Sequence, residues 1–399
     1  MKKTFSFFMV CLLCFSYQML PAQNDPGKVK RPSITNAKTV MVDEFGDFRE
    51  GLCAVKKGEK WGFIDTLGNL VINFVLDFHS FKYEYPFFSS GLCMLTYADN
   101  GYKALRYIDK KGNDVIRNPN YFDGTPFTDG YALVNTKGNK FIYINTKGVQ
   151  IYNVLTATQQ LFVQVKETRP FRDGLAAYYD FSKSLFGYID QKGMVKIQPQ
   201  FLEAEDFSEG LAAVLKTTAT KELKWGFIDK TGKVVIDFIF TNKPGNVSDG
   251  MMVVTSADNK KGYMNTSGQL VIDTRFSDAF QFAQGMAFAL EWGQSFLIVI
   301  NKTGEKVKDL PIKEFGLVAP VEHGVAVYSE GYGYSGGTVK SDGTIVLPGY
   351  VNKIGIIYKM IKPFNSGLAH CLAPVDKKMV EGFINYSGDF VIIKGESKF

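Results

Sequence analysis

Trp225-Gly226-Phe227-Ile228-Asp229-Lys230-Thr231-Gly232 is the stretch of sequence that decides the fold of this 399-residue chain. Trp61-Gly62-Phe63-Ile64-Asp65-Thr66-Leu67-Gly68 nearly repeats it. Related copies end at Gly112, Gly148, Gly193, Gly268, Gly304, Gly343 and Gly388. Apolar residues before an Asp-x-x-Gly step predict a strand that ends in a tight turn, because Asp bonds the turn backbone and Gly accepts a positive φ.

A second motif, Phe-x-x-Gly followed by apolar residues, alternates with the first. It occurs at Phe48-Gly51, Phe88-Gly91, Phe127-Gly130, Phe171-Gly174, Phe207-Gly210, Phe282-Gly285 and Phe364-Gly367, with Val in place of Phe at Val247-Gly250 and Val321-Gly324. Consecutive glycines of this motif are 35 to 44 residues apart. A period this regular is typical of a tandem repeat.

Each repeat is predicted to be a three-stranded antiparallel meander. In the fifth repeat the strands are Leu211-Ala212-Ala213-Val214, Trp225 to Asp229, and the β-branched run Val234-Val235-Ile236. One such unit cannot bury its apolar residues alone, whereas stacked units can. Nine repeats of about forty residues then fill residues 39–399, the first preceded by a partial repeat.

The partial repeat at residues 39–48 resembles the tail of a complete one, so the array begins and ends within a unit. Two arrangements are compatible with this. The sequence favours an all-β fold in which the repeats form an open, twisted, solenoid-like array. The alternative is a closed ring like a β-propeller, in which the partial repeat completes the last unit.

Residues 1–23 are predicted to be a signal peptide. Lys2 and Lys3 precede a short apolar stretch, and Pro21-Ala22-Gln23 offers a cleavage site. A lipoprotein with lipid on Cys14 and a retained anchor are the alternatives. Residues 24–38 are predicted to be a flexible leader, and no later segment is long and apolar enough to span a membrane.

The composition excludes several classes of protein. The 46 Lys and Arg and 40 Asp and Glu are spread over the repeats, so the sequence predicts no nucleic-acid groove. Removing the signal peptide leaves three of the five cysteines, an odd number that is not typical of a disulfide framework. Cys53 and Cys93 occupy a position where most repeats have Ala, which indicates a small packing site; a disulfide between them is the alternative.

The two motifs together resemble the WG-repeat family, named for the Trp-Gly pair that begins the second strand. The resemblance covers about residues 39–399 and is carried by Trp61, Gly62, Asp65, Gly68, Gly187, Asp190, Trp225, Gly226, Asp229 and Gly232. Only Trp61 and Trp225 keep the named Trp, and the eighth repeat is the most degenerate. Such proteins are typically exported or envelope-associated, so the resemblance implies a periplasmic, outer-membrane-associated or extracellular protein and no particular activity.

No catalytic, cofactor or metal site is predicted. The Asp or Asn at each repeat turn could be a row of calcium ligands, but one carboxylate per turn is too few for calcium and suits a turn. The pair His370-Cys371 has no second His nearby and no metal-ligand spacing. Repeats this uniform leave no interval with an extra set of titratable groups, so we predict that the protein is not an enzyme.

Aromatic residues in loops are the best functional lead in the sequence. Tyr83, Tyr85, Tyr121, Tyr332 and Tyr334 are candidates for a ligand surface, since aromatic faces stack on sugars or anchor proteins. The predicted function is a non-catalytic scaffold at the cell envelope that binds an envelope or extracellular protein. A glycan- or cell-wall-binding module is the alternative. Aligned exposed aromatics would favour the glycan, and a broad apolar patch would favour the protein partner.

Overall fold

The structure, a computed structural model, describes residues 31–78, 83–99, 102–137, 141–151, 169–180, 182–294, 296–313, 325–330, 335–340, 342–347, 350–351, 355–356 and 358–395. The predicted signal peptide and the first part of the predicted leader lie outside these residues. All regular elements within the described ranges are strands. None of these residues forms a helix with the length and apolarity that a membrane span requires.

The strands of the first half of the chain are β1 (Lys38–Met41), β2 (Glu44–Arg49), β3 (Leu52–Lys57), β4 (Lys60–Asp65), β5 (Leu70–Leu76), β6 (Phe88–Ser89), β7 (Leu92–Asp99), β8 (Tyr102–Ile108), β9 (Asp114–Asn118), β10 (Tyr121–Gly124), β11 (Tyr131–Thr136), β12 (Phe141–Asn145), β13 (Leu175–Asp180), β14 (Leu185–Asp190), β15 (Val195–Phe201), β16 (Glu203–Ala204), β17 (Leu211–Thr217), β18 (Leu223–Asp229) and β19 (Val234–Phe240). Those of the second half are β20 (Met251–Thr255), β21 (Lys261–Asn265), β22 (Leu270–Ala279), β23 (Met286–Glu291), β24 (Phe296–Asn301), β25 (Lys306–Lys313), β26 (Val325–Glu330), β27 (Ser335–Lys340), β28 (Ile345–Leu347), β29 (Tyr350–Val351), β30 (Gly355–Ile356), β31 (Met360–Ile361), β32 (Ala369–Val375), β33 (Lys378–Ile384) and β34 (Phe390–Gly395).

Within the described ranges these strands form eight sheets of three or more strands. Their orders are β2-β3-β4-β5, β6-β7-β8-β9, β10-β11-β12, β13-β14-β15, β16-β17-β18-β19, β20-β21-β22-β23-β24-β25, β26-β27-β28 and β1-β34-β33-β32-β31. The six-stranded sheet holds two consecutive meanders, because the long strand β22 pairs with β21 and then with β23. In the other sheets the third strand of the meander is an edge or is followed only by β1, except in β10-β11-β12, where the residues after the turn form only an isolated bridge between Ile144 and Gln150.

The fifth repeat shows how the sequence motif builds a meander. Asp229 opens the turn by accepting hydrogen bonds at Oδ1 from the backbone N–H groups of Thr231 and Lys233, at 2.8 and 3.0 Å. Gly232 closes it at φ 87°, a left-handed conformation that favours glycine. The turn sends the chain back as β19, antiparallel to β18, so the Asp-x-x-Gly step sets the direction of the third strand.

The glycine of the Trp-Gly pair has a separate role in this repeat. Trp225 pairs with Phe240 and Phe227 with Ile236, so the third strand carries three residues opposite the single residue Gly226. The resulting bulge brings the chain so close that a β-carbon on Gly226 would lie 2.8 Å from the carbonyl oxygen of Ile236. Only glycine leaves room for the third strand at this approach.

Gly226→Ala is therefore expected to lower the free energy of unfolding by about 2 kcal/mol, in the range typical of an overpacked core. The matched control is Gly245→Ala, whose β-carbon would meet its neighbours at 3.5 Å without a left-handed backbone. That change should cost less than about 0.5 kcal/mol, as is usual away from strained sites. Urea unfolding followed by circular dichroism measures both, and equal losses would contradict the close-approach explanation.

The buried side chains lie between consecutive repeats and not inside single ones. One cluster joins Trp225 and Phe227 of the fifth repeat to Met252 and Val254 of the sixth. Another joins Tyr188 and Phe201 of the fourth to Val214 and Ile228 of the fifth. Strands one and two are consequently buried on both faces, for example at Leu211 to Val214, whereas strand three buries only Ile236 and Phe240.

The last repeat packs on the first in the same way, which closes the array into a ring. A buried cluster joins Phe48 and Cys53 of the first repeat to Phe383 and Ile392 of the last. Strand β1 pairs in parallel with β34, from Lys38 opposite Ile392 to Met41 opposite Gly395. The backbone N–H of Gly51 donates to Oγ of Ser366 over 2.9 Å.

The predicted open, solenoid-like array is therefore wrong, and the chain forms a closed β-propeller ring. The contacts that close it repeat those between neighbours along the chain. A β-carbon on Gly68 would lie 3.3 Å from Cγ1 of Ile392, just as one on Gly232 would lie 3.2 Å from Cγ2 of Ile197. Because the first and last repeats present the same surfaces as all the others, closure buries two apolar faces that an open array would expose.

Candidate functional site

The Trp-Gly motif occurs once in each repeat, so the structure places its copies in different parts of the ring. Trp61 and Trp225 are buried in different clusters between repeats. Asp65, Asp190 and Asp229 each accept two backbone hydrogen bonds in their own turn. Each hairpin turn thus contains one of these aspartates. Because the turns belong to different repeats, the aspartates do not converge on a common site.

The aromatic residues proposed as a ligand surface lie in different surroundings. Tyr121 is buried beside Phe127, and Tyr83 packs against the same cluster. Tyr85 is half-buried and donates its hydroxyl hydrogen bond to Asp47. Tyr332 and Tyr334 lie outside the described residues. The three described tyrosines do not form an exposed row, and a ligand contact through these positions stays a prediction.

Cys53, Cys93 and Cys371 are buried free thiols, so Cys53 and Cys93 do not pair in this structure. Burial raises the pKa of all three thiols well above the ordinary value, which keeps them protonated and poorly nucleophilic. In the part of the chain that the structure describes, no group of three or more His, Cys, Asp or Glu residues could hold a metal ion.

Exposed aliphatic side chains at the start of the third strands are the most regular surface feature. They lie within three residues after seven of the nine turn glycines, those from Gly68 to Gly304, and all are at least 37% exposed. The set, called here the aliphatic belt, consists of Leu70, Val71, Val115, Val149, Met194, Val234, Val235, Leu270, Val271 and Val307. Because equivalent positions recur in successive repeats, the belt follows the ring. An apolar surface of this kind is typical of a protein interaction site.

A cluster of charges occupies the seam between the first and last repeats. Nζ of Lys362 lies 3.2 Å from Oδ1 of Asp47, and Nε2 of His370 lies 3.1 Å from Oε1 of Glu381. Lys394 completes it with Nζ 3.0 Å from Oε2 of Glu381. These five residues, the seam charge cluster, come from both ends of the chain and hold them together.

His370 is the centre of the seam charge cluster. This residue is 7% exposed and its ring stacks on Phe383. Its Nδ1 lies 3.7 Å from Oδ1 of Asp47, an ion-pair distance without a hydrogen bond. Burial lowers the pKa of His370, but the carboxylates of Asp47 and Glu381 outweigh burial and raise it above the ordinary value. Two carboxylates therefore face this histidine in its protonated form.

The pKa values of the two carboxylates in the cluster are lowered, whereas that of His370 is raised. Burial raises the pKa of Asp47, but His370, Tyr85 and Lys362 outweigh burial and hold it well below its usual range. The hydrogen bond with His370 is the largest effect on Glu381, and Lys394 adds to it. Together they lower the pKa of Glu381 to about 2, although burial raises it. Both side chains stay ionised at neutral pH, so the seam carries two negative and two positive charges before His370 is counted.

Sequence reasoning noticed His370 but missed its partners. The other repeats place apolar residues at its position, namely Ala54, Met94, Leu133, Ala177, Ala213, Val253, Phe288 and Val327. The polar residue at an otherwise apolar position was the sequence feature that could have indicated this charge cluster. Contrary to the expectation of uniform repeats, one interface does carry extra titratable groups.

Comparison with known families confirms the repeat. The family model described as WG containing repeat matches residues 42–61, 61–94, 186–217, 225–254 and 262–291. The chain therefore carries WG repeats at these five places. No curated protein matches it.

Solved structures resemble the chain only distantly. The computationally designed Ika8 protein is 13% identical, with 75% of this chain and 95% of that chain covered at a TM-score of 0.42. BamB from Moraxella catarrhalis is 9% identical, with 78% and 98% covered at 0.37. The WD40 β-propeller domain of Doa1 is 10% identical, with 65% and 88% covered at 0.30. At such scores the likenesses carry no argument, and the ring rests on the strand pairing described above.

Proposed function

We propose that this ring of WG repeats is a non-catalytic scaffold at the cell envelope, which binds a protein partner through the aliphatic belt. The belt is the observation that supports the proposal. Burying an exposed aliphatic side chain against a partner contributes about 25 cal/mol per Å² of apolar surface, and a belt presents several such side chains side by side. A rigid ring holds them in place, so binding costs little ordering.

A protein partner suits this surface better than a glycan. Sugars are held by stacking on exposed aromatic rings, together with polar groups that bond their hydroxyls. Among the large hydrophobic residues that the structure shows exposed, Trp292 is the single aromatic, and the others are aliphatic or Met. Placement at the envelope rests on the N-terminal sequence, where Lys2, Lys3 and the following apolar stretch have the pattern of a signal peptide.

A crosslinked pull-down from native envelopes, with residues 24–399 as bait, tests this proposal. We expect one dominant partner in near-equal amount, and we expect Val235→Lys combined with Val271→Lys to reduce its recovery at least about fivefold. Two buried apolar contacts replaced by charges would account for such a loss.

The matched control is Leu223→Lys combined with Met379→Lys, which adds the same two charges at exposed apolar residues outside the belt. It should leave recovery unchanged. Equal losses from the control and from the belt variant would overturn the belt as the binding surface. Capture of no protein, with retention of the ring on purified cell-wall polysaccharide, would overturn the scaffold and favour the glycan-binding alternative.

A further inference from the structure

The second residue after the turn Asp or Asn is a lysine in three consecutive repeats, the second to the fourth. These lysines are Lys111, Lys147 and Lys192, and all three are exposed. Leu67 holds the same position in the first repeat and is 66% exposed, so the position is open to solvent. In the later repeats the position is occupied by Thr231, Ser267, Thr303, Asp342 and Ser387. The lysines are therefore confined to one side of the ring.

These three lysines differ from a lysine that stands next to one of them. Nζ of Lys110 lies 2.8 Å from the carbonyl oxygen of Glu50 and 3.4 Å from its Oε2, so a carboxylate of the preceding repeat neutralises it. Among the residues that the structure describes, the three lysines form no such ion pair. The carboxylates of their own turns are engaged by the backbone, since Oδ1 of Asp109 and of Asp190 each accepts two backbone hydrogen bonds.

Each of these lysines lies in the same repeat as an exposed aliphatic residue of the belt. The turn of one repeat also packs on the third strand of the preceding repeat, because a β-carbon on Gly148 would lie 3.3 Å from Cγ1 of Ile116. Lys147 directly precedes this glycine, and Val115 directly precedes this isoleucine. The packing joins the charged and aliphatic residues of three repeats into one surface, called here the lysine arc, which consists of Lys111, Val115, Lys147, Val149, Lys192 and Met194.

We propose that the lysine arc binds an acidic, extended segment of the partner protein. Carboxylates of the segment face the lysines, and its aliphatic side chains face Val115, Val149 and Met194. This rests on the proposed function and names the part of the belt on which the acidic segment lies. Complementary charges orient the partner and speed the encounter, while the aliphatic contacts supply affinity. The segment lies across the turns and uses side-chain contacts alone.

The spacing of the repeats sets the pattern of the segment. Sheets that pack face to face lie about 10 Å apart, and the sheets of a ring diverge toward the outside. An extended chain rises about 3.3 Å per residue and directs alternate side chains to one side. An acidic residue at about every fourth position, with an aliphatic residue midway, therefore supplies one charge and one apolar contact to each repeat.

A protein segment fits this arc better than an anionic membrane does. A flat bilayer against the turns would contact many repeats at once. At the position of the lysines it would meet neutral residues and Asp342 in the later repeats. A segment of chain can instead follow the three repeats that carry lysine.

The probe is a fluorescent synthetic peptide, Glu-Ser-Leu-Ser-Glu-Ser-Leu-Ser-Glu, whose binding to residues 24–399 is followed by fluorescence anisotropy. We expect Lys111→Glu combined with Lys147→Glu and Lys192→Glu to weaken binding at least about tenfold, because three attractions become repulsions. Binding should also weaken as the salt concentration rises from about 0.01 to about 1 M, which shortens the screening length to about 3 Å.

The matched control reverses three exposed lysines in or beside the turns between strands one and two, namely Lys57, Lys221 and Lys378. It should leave binding unchanged. Equal losses from the control, or equal binding of a peptide with Gln in place of each Glu, would overturn the inference. Failure of the peptide to bind the native ring would overturn it too, and binding of the ring to vesicles of anionic phospholipid would then identify a membrane as the occupant.

The pull-down from envelopes separates this inference from the proposed function. Loss of the partner from both the lysine variant and the Val235→Lys, Val271→Lys variant supports the inference. If the belt variant loses the partner and the lysine variant retains it, the acidic segment is wrong while the belt scaffold stands. Recovery of no protein by the native ring overturns the proposed function and this inference with it, even where the peptide binds.

Discussion

Removal of residues 1–41 is expected to lower the free energy of unfolding of the ring by about 4 kcal/mol, from roughly 1 kcal/mol per lost hydrogen bond and about 25 cal/mol per Å² of apolar surface uncovered. The lost pairing runs from Lys38 opposite Ile392 to Met41 opposite Gly395. The truncated ring should also self-associate, because β34 then becomes an unpaired apolar edge. Urea unfolding and light scattering of residues 24–399 and 42–399 measure the two effects.

Adding a synthetic peptide of residues 33–42 in trans is the control for this truncation. It should restore most of the lost stability, since a ligand that binds only the folded ring stabilises it by mass action. Unchanged stability after truncation would show that the seam closes without β1, through contacts inside the ring. One such contact is between Phe48 and Phe383, whose ring centroids are 4.7 Å apart.

Local structure could be predicted from the sequence because the turns are coded locally. Asp229 and Gly232 lie three residues apart, and their side-chain and backbone requirements define the turn without reference to the rest of the chain. Closure is decided by partners at opposite ends of the chain. Gly68 contacts Ile392 in the same way as Gly232 contacts Ile197. The interface that closes the ring therefore uses the same residue types as an interface between two repeats that are adjacent in the sequence. Periodicity alone therefore could not distinguish a ring from a solenoid.

The exposed surfaces could not be predicted as well as the turns, because exposure depends on how the repeats pack on one another. The run Val234-Val235-Ile236 indicates a strand, but which of its residues are exposed depends on what packs beyond the third strand. Aromatics in loops look exposed in a sequence, yet Tyr121 is enclosed by the adjoining repeat. Asp47 and Lys362 are 315 residues apart, and only closure brings them together.

Asp47→Ala is expected to cost about 3 kcal/mol at pH 6, because it leaves the cations of a partly buried charge cluster without their carboxylate. Lys362 and His370 would lose their shared anion, and Tyr85 its hydrogen-bond acceptor. Asp77→Ala is the matched control. It breaks the exposed pair with Lys60 and should cost less than about 1 kcal/mol, as exposed pairs usually do.

The pH dependence of that loss identifies the role of His370. Its folded pKa is raised above the ordinary value, so its contribution is complete below about pH 6.5, the ordinary value for His, and is lost as the pH rises through the folded value. Asp47 stays ionised over this range because its own pKa is depressed, so only the histidine changes charge. The cost of Asp47→Ala should therefore be smaller at pH 9 than at pH 6, and His370→Gln should remove the difference. Equal costs at both pH values in the native seam would show that Asp47 acts through Lys362 and Tyr85 alone.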